Sequence, residues 1–319
     1  MKLIIQIPCY NEEKFLPETL KNLPRKVNGF DKVEWLVIDD GSTDNTIKIA
    51  KEYGVDYIVK HTQNKGLAEA FLTGIDSCLK YGADVIVNTD ADNQYNANDI
   101  EKLVKPILEG EADMVIGTRP IKNIKHFSFL KKILQKFGSW VVRVVSGTKV
   151  EDAPSGFRAF SKETAMKLMV YNTYTYTLET IIQAGKSKMK VISIPIRVNN
   201  VVRKSKLVKN IFSYVRKNIF GIIRIFIIYR PFVFFSVIAA LLITVGLIFI
   251  IRFLFYFFNN EGSGHIQSLI LAGVLISIGF QTFLLAITAD LLAANRKLLE
   301  DIRYQLKKDI YNKNKDERK

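Results

Sequence analysis

Two carboxylates one residue apart, Asp90 and Asp92, are the part of the sequence best suited to chemistry. They follow the apolar run Val85-Ile86-Val87, which predicts a short buried strand. Open α/β sheets bind their ligands beyond the carboxyl ends of such strands. Two carboxylates and an amide oxygen are hard oxygen ligands that suit Mg²⁺ or Mn²⁺ carrying a phosphate. Taken alone, the turn is better explained as a solvated loop, because Asp and Asn are ordinary turn residues.

Polar clusters follow two more predicted strands. The strand over residues 3–9 ends in Pro8-Cys9-Tyr10-Asn11-Glu12, and the strand over residues 33–38 runs into Asp39-Asp40-Gly41-Ser42-Thr43-Asp44. Helices are predicted over residues 12–23, 45–53, 65–81 and 97–109, and further strands over residues 57–60, 84–89 and 112–117. This alternation predicts βαβ units and a mostly parallel sheet. The three polar clusters should then meet along one edge of the sheet, which argues against a merely solvated turn.

The region after residue 117 has a less regular pattern. Residues 127–145 predict a basic amphipathic helix, which either presents a solvated face or lies near anionic lipid headgroups. Residues 151–160 are rich in turn formers. Two helices, over residues 161–170 and 177–186, and a strand over residues 190–197 should follow.

The net charge of +15 is unevenly distributed along the chain. Residues 1–200 contain 28 Lys or Arg against 24 Asp or Glu, whereas residues 201–319 contain 18 against 7. Because this basic excess lies beside long apolar stretches, it indicates an anionic membrane surface and excludes a nucleic-acid partner. The two cysteines, Cys9 and Cys78, have no metal-ligand spacing and suggest reduced thiols in a cytoplasmic domain.

Two uncharged stretches predict a membrane hairpin. Residues 231–251 are 21 residues without a charge, enough for a helix of roughly 31 Å, and residues 262–289 are a further 28 without Asp, Glu, Lys or Arg. Basic residues flank the pair on both outer sides, so the positive-inside rule places both termini in the cytoplasm. Arg252, near the outer end of the first span, is expected to snorkel to the headgroups, with contact to a lipid phosphate as the alternative.

The predicted organisation therefore has five parts. They are a cytoplasmic α/β domain over residues 1–202, a basic amphipathic interface region over 203–230, transmembrane helices over 231–258 and 266–289, and a cytoplasmic tail helix over 290–319. A water-soluble phosphorylated donor and a lipid acceptor would suit this arrangement.

The ordered motifs resemble those of a known family. They are Ile7-Pro8-Cys9-Tyr10-Asn11-Glu12, Ile38-Asp39-Asp40-Gly41-Ser42-Thr43-Asp44, Asp90-Ala91-Asp92-Asn93-Gln94 and Ser155-Gly156-Phe157-Arg158. As a set they resemble family 2 glycosyltransferases of the GT-A fold. With Arg203-Lys204-Ser205-Lys206 and the hairpin, the chain looks like a polyprenyl-phosphate glycosyltransferase of the dolichyl-phosphate mannose synthase type. The resemblance covers nearly the whole chain.

The resemblance implies a role for each matching residue. The nucleotide sugar would be bound by Pro8, Tyr10, Glu12, Ile38, Asp39, Asp90 and Arg203, with Asp39 accepting a hydrogen bond from the base. Mg²⁺ or Mn²⁺ would be held by Asp90, Asp92 and Gln94. The acceptor phosphate would be met by Arg119, Lys131, Gln135 and Lys206. Lys131 and Gln135 stand where the family often has a basic residue and a serine, which puts their share in doubt, and Arg203 and Lys206 could simply anchor the interface.

The implied reaction needs no strong base, because the acceptor phosphate is already an anion and can attack the anomeric carbon directly. Catalytic roles fall on Asp92, Arg119, Asp152, Arg203 and Lys206, with Asp152 or Asp92 orienting the nucleophile. Attack from the opposite face would invert the anomeric centre. The implied partners are a nucleotide sugar, a polyprenyl or dolichyl phosphate and membrane lipids, and a homo-oligomer is compatible with the sequence.

Two alternatives compete with this interpretation. A processive polysaccharide synthase would need a Gln-x-x-Arg-Trp segment, but Trp35 and Trp140 stand in other contexts. A non-catalytic membrane adaptor with a degenerate transferase domain is disfavoured by the intact Asp90 and Asp92 pair. GDP-mannose, UDP-glucose and UDP-N-acetylhexosamine all fit the motifs, so the donor stays open.

Overall fold

The computed structural model describes residues 1–120, 129–170, 176–199, 221, 223–224, 226–259 and 262–316. The chain divides into two compact units. One comprises Met1–Asn218 and Glu300–Lys319, and the other comprises Ile219–Leu299.

The first unit alternates strands and helices, as predicted. Its elements are β1 (Lys2–Cys9), α1 (Leu16–Asn22), β2 (Lys32–Asp39), α2 (Thr46–Glu52), β3 (Tyr57–Lys60), α3 (Leu67–Lys80), β4 (Val85–Asn88), α4 (Ile100–Leu108), β5 (Met114–Thr118), α5 (Phe129–Ser146), β6 (Arg158–Ser161), α6 (Lys162–Lys167), α7 (Thr177–Lys186) and β7 (Val191–Pro195). A short 3₁₀ turn, Ala97–Asp99, precedes α4.

The strands form one seven-stranded sheet in the order β3-β2-β1-β4-β6-β5-β7. All neighbouring pairs are parallel except those of β6, which runs antiparallel to β4 and β5. Strand order reverses between β1 and β4, so the crevice beyond their carboxyl ends is where such a sheet binds ligands. The mostly parallel α/β fold class is confirmed. One local prediction differs: β6 occupies Arg158–Ser161, partly inside the segment expected to be turn-rich.

The central strands are buried on both faces, which explains their continuous apolar runs. Ile4, Ile5, Val87 and Val115 have no exposed surface. This rigid layer holds the loops at its carboxyl edge.

The side chain of Lys307, in the C-terminal stretch of the unit, also pairs with Asp76 on α3.

The second unit contains the long apolar helix α8 (Pro231–Phe258) and most of a second long helix, α9 (Ile266–Asp316). The residues of α9 from Glu300 onward belong to the first unit. Both helices are long and apolar enough to cross a membrane, by length and composition. Small residues let them pack closely: a Cβ on Gly246 would lie 2.7 Å from Ile276 Cγ1, and one on Gly279 would lie 2.6 Å from Ile243 Cγ1. The helix α9 includes the residues predicted as the second transmembrane helix, 266–289, and most of those predicted as the tail helix, 290–319.

Candidate active site

The loops after β1 and β2 are tied to each other by side chains. The backbone N–H of Asn11 donates to Ser42 Oγ at 2.9 Å, and that of Thr43 donates to Asn11 Oδ1 at 2.8 Å. Asn11 has a φ of +53°, a conformation that asparagine tolerates better than most residues. The Glu12 N–H donates to Thr46 Oγ1 at 2.9 Å. These bonds hold both polar clusters in one rigid surface at the carboxyl edge.

Asp39, the last residue of β2, has an incompletely satisfied carboxylate. Its side chain is fully buried, and its Oδ1 accepts from the Ser42 N–H at 3.2 Å. Its Oδ2 is buried without a hydrogen-bond partner within the described part of the chain. A buried oxygen left without a donor is costly, so this atom is suited to accept from a ligand N–H.

The neighbouring Asp40 has a structural role that the sequence did not reveal. Its carboxylate accepts from His61 Nδ1 at 2.7 Å and from the backbone N–H groups of Lys65 at 2.9 Å and Gly66 at 2.8 Å. The next residue, Gly41, has a φ of +74°, and a Cβ there would lie 2.6 Å from the Gln63 carbonyl carbon. Asp40 therefore fixes the loop before α3 against the turn that carries Asp39.

The loop after β4 carries the three predicted metal ligands. Asp92 Oδ1 accepts from the Gln94 N–H at 3.2 Å, and Asn93 between them has a φ of +53°. Asn199 closes this loop from outside: its N–H donates to the Gln94 carbonyl at 2.9 Å, and its side chain donates to the Asn93 carbonyl at 2.9 Å. These bonds hold the segment from Asp92 to Gln94 in a tight turn against Asn199.

Asp90 lies against a wall formed by Gly156. A Cβ on Gly156 would lie 2.9 Å from Asp90 Oδ1 and 3.1 Å from Asp90 Oδ2. Asn88 Nδ2 donates to the Gly156 carbonyl and to Tyr176 Oη, both at 2.8 Å, and the Gly156 N–H donates to Tyr95 Oη at 3.1 Å. The Asp90 carboxylate can therefore occupy this position only because residue 156 has no side chain.

The arrangement fits a divalent cation that is shared with a phosphorylated ligand. Among the described residues no group of three or more His, Cys, Asp or Glu could hold a metal. Asp90, Asp92 and Gln94 instead offer two carboxylates and one amide. Mg²⁺ is commonly bound by one or two carboxylates, with substrate phosphates and water completing the shell. This donor set suits that kind of site.

Arg119 and Asp152, for which separate roles were predicted, form a buried ion pair. Arg119 Nε donates to Asp152 Oδ2 at 2.7 Å and Arg119 Nη2 donates to Asp152 Oδ1 at 2.9 Å. Burial alone would lower the pKa of the guanidinium, but the hydrogen bonds to Asp152 raise that pKa above its ordinary value. Arg119 therefore stays protonated at the end of β5, where Asp152 compensates its charge and fixes its orientation.

Arg158, in the Ser-Gly-Phe-Arg motif, holds the loop from the inside. Its guanidinium is fully buried and donates to the carbonyls of Ser155, Thr177 and Ala153, each at 2.7 Å. Burial lowers its pKa to about 10, which still leaves it charged at neutral pH. The residue acts as a structural anchor for the segment that contains Gly156.

The other predicted site residues are placed as follows. Tyr10 is exposed, Glu12 is buried beside the Asp39 turn, Pro8 lies near the end of β1, and Ile38 is fully buried within β2. Lys131 and Gln135 belong to α5, but their side chains are outside the described part of the chain. Arg203 and Lys206 also lie outside the described residues. The roles of all these residues stay predictions.

Sequence reasoning gave no role to Asn88, Tyr95, Tyr176 or Gly156. One signal was available for two of them, since Asn88 interrupts an apolar strand and Gly156 belongs to a recognised motif. The two tyrosines come from different parts of the chain, and only the fold brings their hydroxyl groups to the same glycine.

Comparison with known proteins agrees with this geometry. The model of the family described as Glycosyl transferase family 2 matches residues 4–169, more than half of the chain. The chain therefore belongs to glycosyl transferase family 2 and is a glycosyltransferase.

The names of two relatives include a dolichyl or dolichol phosphate. The chain is 35% identical over 214 residues to the UDP-N-acetylglucosamine–dolichyl-phosphate N-acetylglucosaminyltransferase of Methanococcus voltae, covering 60% of this chain and 83% of that enzyme. It is 32% identical over 225 residues to the dolichol-phosphate mannosyltransferase of Pyrococcus furiosus, covering 68% of this chain and 62% of that enzyme. These relatives differ in the sugar they transfer.

Among solved structures, the fold resembles glucosyl-3-phosphoglycerate synthase from Mycobacterium tuberculosis, in its complex with Mn²⁺, UDP and phosphoglyceric acid. The TM-score is 0.55 at 18% identity, over 69% of this chain and 78% of that one. At this identity the likeness establishes the GT-A fold alone.

Proposed function

We propose that this family 2 glycosyltransferase moves one hexose from a nucleotide sugar to a polyprenyl or dolichyl phosphate at the cytoplasmic face of a membrane. The observation that carries the proposal is the edge formed by β1, β2 and β4. There the buried Asp39 oxygen, which has no hydrogen-bond partner in the described chain, ends β2, and the acidic turn of Asp90, Asp92 and Gln94 follows β4 at the same carboxyl edge of the sheet. The names of the two archaeal relatives support the lipid phosphate as acceptor.

The chain's own residues would divide the work. Asp39 would accept from the nucleobase, and Asp90, Asp92 and Gln94 would hold Mg²⁺ or Mn²⁺ at the diphosphate. Bound there, the cation would stabilise the negative charge of the leaving nucleoside diphosphate. The Mn²⁺ and UDP of the Mycobacterium tuberculosis structure support such a site.

In the proposed reaction, an oxygen of the acceptor phosphate attacks the anomeric carbon. The new bond to that oxygen forms as the bond to the donor diphosphate breaks, and the nucleoside diphosphate leaves with the electron pair. Since the acceptor is already an anion, no residue has to remove a proton. The Arg119 guanidinium, whose Nε and Nη2 are bonded to Asp152, would meet one of the phosphates with its remaining N–H groups. Arg203 and Lys206 would supply further positive charge.

The proposed topology follows from the apolar helices and the basic flanks. Helix α8 and the apolar part of α9 would cross the membrane as a hairpin. The catalytic domain and both termini would stay in the cytoplasm, where the basic residues outnumber the acidic ones.

A donor panel tests the proposal. Membranes containing the full chain are given Mn²⁺ or Mg²⁺, a polyprenyl phosphate and one labelled nucleotide sugar at a time: GDP-mannose, UDP-glucose or a UDP-N-acetylhexosamine. We expect label from one donor in a lipid whose mass corresponds to a single added hexose or N-acetylhexosamine. Membranes without the protein and reactions with excess chelator are the controls. Absence of labelled lipid with every donor would overturn the proposal, and a ladder of longer glycans would favour a processive synthase.

A further inference from the structure

We infer that Gly156 is a positioning residue, whose backbone forms a fixed wall that sets the orientation of the Asp90 carboxylate. The inference rests on the proposed function in that Asp90 serves the diphosphate of the nucleotide sugar. It concerns residues outside the predicted ligand set, and it assigns Asn88, Tyr95 and Tyr176 a shared task.

The wall is fixed because both polar groups of the Gly156 backbone are bonded to buried side chains. Its N–H donates to Tyr95 Oη at 3.1 Å, and its carbonyl accepts from Asn88 Nδ2 at 2.8 Å. Asn88 is itself held from the other side, since its Oδ1 accepts from Gln6 Nε2 at 2.8 Å. The preceding carbonyl, that of Ser155, accepts from Arg158 at 2.7 Å. Residue 156 therefore cannot move away from Asp90 without breaking buried hydrogen bonds.

The two tyrosine hydroxyls are fixed by ring stacking. Tyr95 stacks on Phe157 with centroids 5.0 Å apart, and Tyr176 stacks on Phe71 with centroids 3.8 Å apart. The stacked rings, Asn88 and the Gly156 backbone thus form a clamp against one side of the Asp90 carboxylate.

The Gly156 backbone lies so close to Asp90 and Tyr176 that a methyl group on residue 156 would not fit. A Cβ on Gly156 would lie 2.9 Å from Asp90 Oδ1, 3.1 Å from Asp90 Oδ2 and 3.1 Å from Tyr176 Oη. Gly156 does not have a positive φ, so an alanine could adopt its backbone conformation without strain. The consequence of Gly156→Ala is therefore displacement of the Asp90 carboxylate or of the tyrosine hydroxyl. Asp39, at the end of β2, is not among the atoms that such a Cβ would meet, so its proposed binding of the nucleobase should not change.

The experiment measures binding and does not depend on an acceptor. Full-length protein in detergent is titrated with UDP and with GDP in the presence of Mn²⁺, and then with uridine and guanosine without metal. Gly138→Ala is the matched control, because a Cβ on this helical glycine would meet nothing within 4 Å. Thermal unfolding of each variant is recorded in parallel.

For Gly156→Ala we expect affinity for the Mn²⁺ nucleoside diphosphate to fall by about tenfold or more, as for other residues that orient metal ligands. Nucleoside affinity and thermal unfolding should stay close to those of Gly138→Ala. A variant that keeps the parent's affinity for the Mn²⁺ nucleotide would overturn the inference. So would equal losses of nucleoside and nucleotide binding, because these indicate a general packing defect.

Tyr176→Phe keeps the test decisive if Gly156→Ala does not fold. It removes one hydroxyl, leaves the stack on Phe71, and takes from Asn88 one of its two acceptors. We expect a smaller loss of the same Mn²⁺-dependent affinity, again with nucleoside binding unchanged. Parent-like Mn²⁺ nucleotide binding by this variant would contradict the clamp. A donor panel without lipid product, alongside a selective loss in Gly156→Ala, would overturn the lipid acceptor and leave the wall in place.

Discussion

Replacing Asp39 by asparagine should separate nucleotide binding from folding. The Asp39 side chain is fully buried, and its Oδ1 accepts from the Ser42 N–H at 3.2 Å. An asparagine would keep its carbonyl oxygen toward Ser42 and would therefore place its NH₂ group at the position of Oδ2. A nucleobase N–H that donates to Oδ2 in the parent would then face another donor.

The expected effect on binding follows from the loss of one charged hydrogen bond. Such a bond is worth about 1.5–3 kcal/mol, and about 1.4 kcal/mol changes a Kd tenfold. The Kd for the nucleoside diphosphate should therefore rise about 10- to 100-fold. Folding should not suffer, because a buried neutral amide costs less desolvation than a buried carboxylate with one unpartnered oxygen.

Asp40→Asn is the matched control, one residue further along the chain. Both Asp40 oxygens are used, by His61 Nδ1 and by the N–H groups of Lys65 and Gly66. An amide nitrogen at this position must face at least one of those donors. We expect Asp40→Asn to lower the free energy of unfolding by about 1–3 kcal/mol.

Isothermal titration calorimetry with UDP and GDP measures the first effect, and thermal unfolding in detergent measures the second. Parent-like nucleotide affinity in Asp39→Asn would refute the assignment of Oδ2 to the base. Equal destabilisation by the two substitutions would refute the distinction between a ligand-facing and a structural carboxylate.

Three further outcomes are expected. Asp92→Asn should abolish transfer of labelled sugar to lipid while circular dichroism and membrane extraction stay unchanged, and near-normal turnover would remove Asp92 from the metal site. Arg119→Ala and Asp152→Ala should each destabilise the protein by about 3–5 kcal/mol, because each leaves a buried charge uncompensated. In chemical unfolding, the double variant should lose clearly less free energy of unfolding than the two single variants lose together. Additive losses would show that Arg119 and Asp152 do not act as a pair. Burial tends to raise the pKa of Asp99, but the hydrogen bonds from Arg197 lower it to about 2. Because the pKa of Asp99 is lower in the folded than in the unfolded protein, its ionised form stabilises the fold at pH values above the unfolded-state pKa. That stabilisation is lost as the pH falls from about 4 to about 2. In Asp99→Asn, the free energy of unfolding measured at a series of acid pH values should fall less steeply between about pH 4 and about pH 2 than in the parent.

The alternating part of the fold was predictable because its signals are local. Strand β3 and helix α7 have the predicted bounds, residues 57–60 and 177–186. Their apolar residues and the glycines close to their ends, Gly54 before β3 and Gly185 in the last turn of α7, act within a few residues. The polar clusters after β1, β2 and β4 were predictable for the same reason, since each directly follows its strand.

Strand β6 could not be predicted in this way. Its four residues follow Pro154 and Gly156, which are turn formers, and its strand conformation comes from long-range pairing such as that of Ala159 with Val87 and Val115. No local pattern reports a pairing over such a distance in sequence.

The ion pair of Arg119 and Asp152 was missed for a related reason. The two residues are 33 positions apart, and each alone resembles a residue that faces a ligand. Only the fold brings them to each other. The same holds for the hydroxyl groups of Tyr95 and Tyr176.

The loop that carries Asp92 and Gln94 is physically tied to the chain that leads toward Arg203. Asn199 bonds the Gln94 carbonyl and the Asn93 carbonyl, so residue 199 is fixed at the acidic turn. A change that loosens Asn199 would therefore disturb the turn that carries the proposed metal ligands, which the motif around Asp92 does not reveal when it is considered alone.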